Sequence, residues 1–545
     1  MSTDAIPEKP GEGAAAAGGL WALVDEGRVS EWSDRLSDLF NPILVKEVRQ
    51  SLKSWTFLGT FSLLILASWL VSVFGVSFAG PGVAYGRTGA ALFYAYFLVL
   101  GFACFLIVPF SAYRSLLQER DLATFEVLSI TTLRPGQIVW GKLLSSCAQL
   151  FVFLSALTPF VAFTYLLRGI DILTIMGALL LATFAGVGLS MICLTLSALF
   201  YGRGWGALQT LFVFGQLFGT FFALTSMIFA ASAAGSMFAG TWEYWLVILL
   251  WLTYYAGYFY LLYAISVAQL TFEADNRSSR MRLALSGLAL VTILWLTGAV
   301  LFGLMGSTWL SHSAVDEMAL AGGWMGLFHW AAFGLFFVTE PDRLSDRVRR
   351  SIPRISLLRL FAAKYFPGGA LGLLFSLVHM AVTGALVVFL NSLAGATIDN
   401  ELIALGVANL YVVIYLGAAC WLARAGMRYV PGFTAGHARV TIVILAALAA
   451  IVPALFESLG DRPAWNTMLH LTNPSIVIYQ ASQNPADVSL VLLVIFAVAC
   501  GALVVNLRAM FSAVLEVVKG PPVAVASPPP PDEMELVDTP AVVPA

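Results

Sequence analysis

Residues 119–142 read ERDLATFEVLSITTLRPGQIVWGK, a polar-flecked stretch between two strongly apolar runs. It contains G-x-x-x-x-G-K, at Gly136, Gly141 and Lys142, the skeleton of a phosphate-gripping loop. Read that way, the segment would follow a β-strand in a nucleotide-binding domain. The side chains oppose it. Such a loop needs Ser or Thr after the lysine to hold magnesium, and small residues so that backbone N–H groups can cradle phosphate. Here Leu143 follows Lys142, the interior is Gln137, Ile138, Val139 and Trp140, and no strand pattern precedes it. The stretch is instead a helical connector between membrane spans, and the fold expected from it is all-α and polytopic.

Composition agrees. Of 545 residues 59% are hydrophobic and only 11% charged, with a mean hydropathy of +0.87, whereas soluble domains carry roughly 25% charged residues. A spanning helix needs ~20 mostly apolar residues. Runs of that kind fall near 56–79, 89–112, 143–167, 173–200, 206–232, 244–269, 283–308, 321–339, 369–391, 402–423, 438–456 and 487–513. With the N-terminus inside, 26 of the 29 Lys and Arg lie on the inner side, leaving only Arg87, Arg168 and Arg462 outside. Basic residues favour the cytoplasmic side, so twelve spans with both termini cytoplasmic are expected. The net charge of −2 carries no nucleic-acid footprint. Five cysteines without a C-x-x-C pair read as small buried hydrophobes. Residues 1–40 are acidic and Pro- and Gly-bearing, unlike a secretory signal, and residues 516–545 are Pro-rich and acidic. Both are expected to be disordered cytoplasmic segments.

Before the first span lies NPILVKEVRQSLKSW, residues 41–55. Asn41 suits an N-cap and Pro42 the first helical position. Leu44, Val45, Val48, Leu52 and Trp55 share one face, with Lys46, Glu47, Arg49, Gln50 and Lys53 turned away. This reads as an interfacial helix lying along the inner leaflet; the alternative is a plain juxtamembrane helix end.

The order E-R at Glu119–Arg120, T-x-E-x-L from Thr124, then Thr131, Leu133 and Pro135, and finally G-K entering a span, resembles the permease subunits of type 2 ABC exporters. Residues 41–55 are similar to the connecting helix of that family. The likeness covers residues 41–170 and extends more loosely to about 270; Ala123 departs from the Gly that many members carry there. The resemblance implies a six-span permease domain over 56–275. It implies that the 113–142 segment carries a coupling helix docking on a separate ATP-binding-cassette ATPase, through Glu119, Arg120, Thr124, Glu126, Thr131 and Arg134. Glu119, Arg120 and Glu126 would form the solvent-facing charged set. Asn41, Pro42, Lys46, Glu47 and Arg49 would belong to the connecting helix. It further implies a plasma (inner) membrane location, membrane lipid as surroundings, ATP hydrolysis on the partner and not on this chain, no cofactor of its own, and an arrangement open to homodimers.

Residues 276–515 hold six more spans in the same orientation, as a parallel duplication would give. The loop EPDRLSDRVRRSIPR, residues 340–354, occupies the same ordinal place as the coupling segment. Arg343, Arg347 and Arg350 share a helical face, beside Leu344 and Val348. Two readings stand: a second coupling helix, or a basic helix held by anionic lipid headgroups. LHLTNPSIVIYQ, residues 469–480, resembles the short re-entrant segment that type 2 exporters place before their sixth span.

Ion-driven transporters place charged side chains within spans, and the twelve runs lack a carboxylate near mid-depth. His329 and His379 lie within spans, but without neighbouring donors they read as interhelical hydrogen-bonding groups and not metal ligands. Gln149, Gln209 and Gln216 read as polar glue or lining. Two other classes remain: a secondary transporter or non-transporting scaffold, and a polytopic lipid-modifying enzyme, which would need a clustered nucleophile–base set.

Overall fold

The computed structural model describes residues 42–80, 89–121, 134–167, 169–199, 206–233, 242–272, 275–304, 312–393, 399–459 and 469–520. The described residues form helices and no strand. The helices are α1 Pro42–Leu52, α2 Trp55–Ala79, α3 (residues 89–121), α4 Pro135–Leu166, α5 Ile172–Leu199, α6 Gly206–Ala233, α7 Trp242–Leu270 and α8 Ser279–Leu304. They continue as α9 His312–Val338, α10 Asp346–Arg350, α11 Ser356–Ala362, α12 Gly369–Leu393, α13 Asn400–Tyr429, α14 Ala435–Leu459, α15 Pro474–Gln483 and α16 Ser489–Lys519. Twelve of them, α2 to α9, α12 to α14 and α16, are long and apolar enough to cross a bilayer. The protein is an all-α polytopic membrane protein.

The two spans beside the 119–142 stretch reach well beyond their apolar runs. α4 starts at Pro135 and α3 continues to Asp121, so Gly141 and Lys142 lie inside a helix and not in a loop. Pro135 has the fixed φ suited to a first helical position, and the Arg134 N–H is capped by Gln137 Oε1 at 2.9 Å. At the start of α5, Asp171 accepts from the Thr174 N–H at 2.8 Å and the Thr174 hydroxyl at 2.5 Å. Partial burial opposes ionisation of Asp171, but these bonds outweigh it and hold its carboxyl below the usual range. α1 ends at Leu52, three residues short of the expected 41–55 helix, and Ser54 caps α2 by accepting from Phe57 N–H.

Contacts divide the chain into two compact units, Met1–Leu246 and Val247–Ala545. The division falls at the start of α7, earlier than a six-plus-six boundary at 275/276. The cause is visible in the second unit: α7 hydrogen-bonds to α8 and α9 through Tyr254–Thr292, Trp295–Thr253 and Tyr258–His329.

The first unit packs around an aromatic core of Phe93, Phe97, Phe105 and Phe153, with Leu150, Leu157 and Val161. α3 is not a uniform α-helix. Phe102–Ile107 is a π turn, in which the Val108 N–H donates to the Ala103 carbonyl five residues back.

In the second unit α9 and α12 meet at glycines. A methyl on Gly369 would stand 2.5 Å from the Val338 carbonyl oxygen, and one on Gly372 2.5 Å from that of Phe337. Small residues let backbones approach in this way where lipid offers little hydrophobic drive. Before α12, Gly368 has φ of 129°, a conformation that L side chains rarely adopt. The 469–483 segment is a 3-10 turn followed by α15, capped by Asn473. It packs through Val477 and Ala481 on α13 and α16, and Tyr411 donates to the Leu471 carbonyl at 2.7 Å.

Both span histidines make interhelical bonds: Tyr258 with His329 at 2.5 Å, and Ser286 with His379 at 2.9 Å. Gln209 donates to the Leu196 carbonyl at 3.3 Å.

Candidate functional site

Lys142 lies on α4 with its side chain 1% exposed. A lysine so buried needs acceptors, because an unpaired charge out of water costs several kcal/mol. Its ammonium has three N–H donors and finds three acceptors: Glu47 of α1 at 3.1 Å, Glu119 of α3 at 3.0 Å, and the Ser115 carbonyl at 3.2 Å. One lysine thus fastens α1, the end of α3 and the first turns of α4.

This revises two expectations. Glu119 is not part of an outward charged set; it turns inward to Lys142 and is only 15% exposed. Glu47 does not face away with Lys46 and Arg49, which are exposed. Amphipathic phasing grouped Glu47 with the outward polar residues. The buried ammonium pulls this one carboxylate in, while Lys46, Arg49, Gln50 and Lys53 stay exposed and Leu44, Val48 and Leu52 are half-buried.

Beside the clamp lies a cavity of about 770 Å³, walled by α1, the start of α2, α3, and single residues of α4 and α6. Its lining changes character along α3. Phe102, Leu106 and Phe110 form the apolar part, joined by Phe57 and Phe214; Arg114, Gln118 and Glu119 continue the same wall as polar groups. Lys46, Gln50, Ser51 and Ser54 close the polar end, and Gln149 lines it from α4.

The π turn makes this wall possible. Residues four apart drift by about 40° per step in an α-helix, so five positions from 102 to 118 would wind nearly halfway round it. One extra residue in a turn takes up about 100° of that drift. Residues 102, 106, 110, 114 and 118 therefore all reach one cavity.

The remaining expected residues fall as follows. Pro42 is the first residue of α1, and Arg134, exposed, precedes α4. Asn41, Thr124, Glu126 and Thr131, with the Arg120 side chain, lie outside the described residues. In the second unit Leu344 and Val348 are buried as the helical phasing required, and Arg343, Arg347 and Arg350 are exposed. Arg347 pairs with Asp275 at 3.0 Å.

The second unit also holds a polar knot that sequence reasoning missed. Arg282, fully buried at the start of α8, pairs with Glu340 at 2.7 Å. It also donates to the carbonyls of Lys364, Phe366 and Gly368. Glu340 accepts in turn from the Gly368 N–H at 3.1 Å. Asp342 caps Ala370 N–H at 2.8 Å and pairs with Arg424 at 3.2 Å, while Arg439 donates to the Thr339 hydroxyl at 2.8 Å. The signal that was available is an arginine at the mouth of an apolar run and an E-P-D directly after another, charges that must find partners.

Among the described residues no group of three or more His, Cys, Asp or Glu stands close enough to hold a metal ion. Comparisons with protein-family models, curated proteins and solved structures return no match.

Proposed function

We propose that this chain is the membrane permease of an ATP-driven exporter, set in a plasma membrane with both termini cytoplasmic and powered by a separate ATP-binding-cassette ATPase that docks on the 113–142 segment. The observation that carries the reading is the Lys142 clamp. The docking segment joins α3 to α4, and Lys142 ties the ends of both helices to α1. A push delivered to that segment is passed through Glu119 and Lys142 to Glu47, and so to α1, a wall of the cavity. The arrangement supplies a direct link between a docking segment and a chamber, which is what an externally powered permease requires. The resemblance over residues 41–170 supports the same reading, and the buried, ion-paired state of Lys142 makes it unfit to hold a nucleotide phosphate.

The test uses the tagged full chain purified from its native membrane. Co-purification of a subunit with ATPase activity is expected, and charge reversal by Arg120→Glu with Glu126→Lys should remove it while leaving expression and insertion intact. Absence of any ATPase subunit, or retention of one by the reversed variant, would overturn the proposal. The chain purified alone should neither hydrolyse ATP nor bind it with magnesium; micromolar ATP binding lost in Lys142→Ala would refute that part.

A further inference from the structure

We infer that the cavity of the first unit binds an amphiphile with an anionic headgroup, a phosphate or carboxylate carried on a long apolar chain. The binding claim stands on the cavity itself; that the ligand is the cargo rests on the exporter reading.

Three features of the chamber combine. Its volume, about 770 Å³, lies in the ~300–1,000 Å³ range of small-molecule sites. Its lining is sorted by depth: from Phe102 to Gln118 the α3 wall runs roughly 24 Å at ~1.5 Å per residue, aromatic and aliphatic first, polar and charged last. A ligand that is apolar along its whole length would leave the polar end unsatisfied, and a fully polar one would desolvate against phenylalanines. An amphiphile satisfies both ends.

The sign of the headgroup follows from the charges that face the polar end. The two carboxylates there, Glu47 and Glu119, are turned onto the Lys142 ammonium behind the wall. Lys46 and Arg114 line the chamber as well, and neither makes an ion pair among the described residues. One ammonium balances one of the two carboxylates, so with Lys46 and Arg114 the three cations exceed the two carboxylates and the polar end carries a net charge of +1; the arginine adds the planar fork that suits phosphate and carboxylate oxygens. A cationic headgroup would add to that positive surplus.

The full chain, reconstituted alone in phosphatidylcholine nanodiscs, is photolabelled with a dodecyl phosphate that carries a diazirine near the end of its chain. Labelling is expected within α2 and residues 102–110 of α3, and unlabelled dodecyl phosphate should compete. Dodecyltrimethylammonium and inorganic phosphate should not. In Lys46→Glu with Arg114→Glu, labelling by the phosphate probe should fall at least tenfold while a trimethylammonium probe of equal length gains labelling. That gain shows that the chamber is still folded. Equal labelling by both probes in the unmodified chain, or labelling scattered over lipid-facing helices, would overturn the inference. Competition by inorganic phosphate would also overturn it, since the site would then be one for a free anion. Because no nucleotide or partner is present, failure here leaves the ATPase-docking test standing, and the reverse holds.

Discussion

Among the described residues each unit buries one long cation near a helix end, and the two cations are used differently. Lys142 gathers side chains: two carboxylates from helices 95 and 23 residues away in sequence, plus one carbonyl. Arg282 gathers backbone: three carbonyls of the 364–368 stretch and a single carboxylate. A lysine ammonium is a compact point charge on a flexible stem, whereas a guanidinium is a rigid fork. The first therefore suits helices that keep some freedom to shift; the second sets the course of a loop. The 340–368 loop is fixed further by Arg349–Glu516 at 2.7 Å and by Arg359 donating to the Val518 carbonyl at 2.9 Å. Leu344, Val348, Ile352 and Phe366 pack beneath it with Val517. This loop is built into the body of its unit, which weighs against its being a second docking helix.

The largest effect should come from Arg282→Met. It strands Glu340 and three carbonyls, and removing one partner of a buried pair costs about 3–5 kcal/mol. We expect a sharp fall in the detergent denaturation midpoint and new proteolytic cleavage within 340–368. If the loop stays protected, Arg282 does not set its course.

Lys142→Met should cost less, about 2–3 kcal/mol, because both carboxylates keep some access to water. Adding Glu47→Gln and Glu119→Gln should recover part of the loss, since no carboxylate is then left without its cation. A triple variant no more stable than the single one would break the picture of a three-helix clamp.

Asp171→Ala removes an N-cap, for which about 1 kcal/mol is typical. Its carboxyl is held below the usual range in the folded chain, so its contribution is present above the unfolded pKa and is lost as pH falls through the folded one. Wild type and variant should accordingly converge in stability as the pH is lowered; a gap that does not narrow under acid would assign the effect to another cause.

The smallest effect belongs to Arg347→Glu. Its pair with Asp275 leaves the arginine 70% exposed, and exposed pairs contribute at most about 1 kcal/mol. Stability should change by no more than about 1 kcal/mol. Loss of ATPase co-purification with this variant would instead show that the second loop docks a partner.

The spans were legible because twenty apolar residues in a row have few other fates, and helix existence followed at every one of the twelve. What hydropathy cannot carry is a single charge inside a long run. The apolar run of 143–167 stops short of Lys142, although Ile138 and Val139 before the lysine belong to the same helix as Leu143 and Leu144 after it. The partners that explain its burial, Glu47 and Glu119, become neighbours only through packing. The same holds for Arg282 and the carbonyls more than eighty residues on. Amphipathic phasing succeeded for Leu344 and Val348, where a core lies below. It misplaced Glu47, where the decisive neighbour is an ammonium instead of a lipid tail. The cavity could not be foreseen, because its straight wall depends on a π turn that no residue pattern in FACFLI announces.

That turn has an evolutionary side. A π turn holds one residue more than the α-helical turn it interrupts. Deleting one codon between 102 and 107 would let the turn close up as uniform α while Arg114, Gln118 and Glu119 keep their facing, because the residue lost is the one the turn had absorbed. A deletion between 108 and 113, where the helix is regular, has no such turn to absorb it and would rotate everything beyond by about 100°. Arg114 and Gln118 would then leave the chamber together, and Glu119 would swing away from Lys142. The length of this wall can therefore drift by one residue at the turn without loss of the chamber, whereas the same genetic step a few codons later abolishes it.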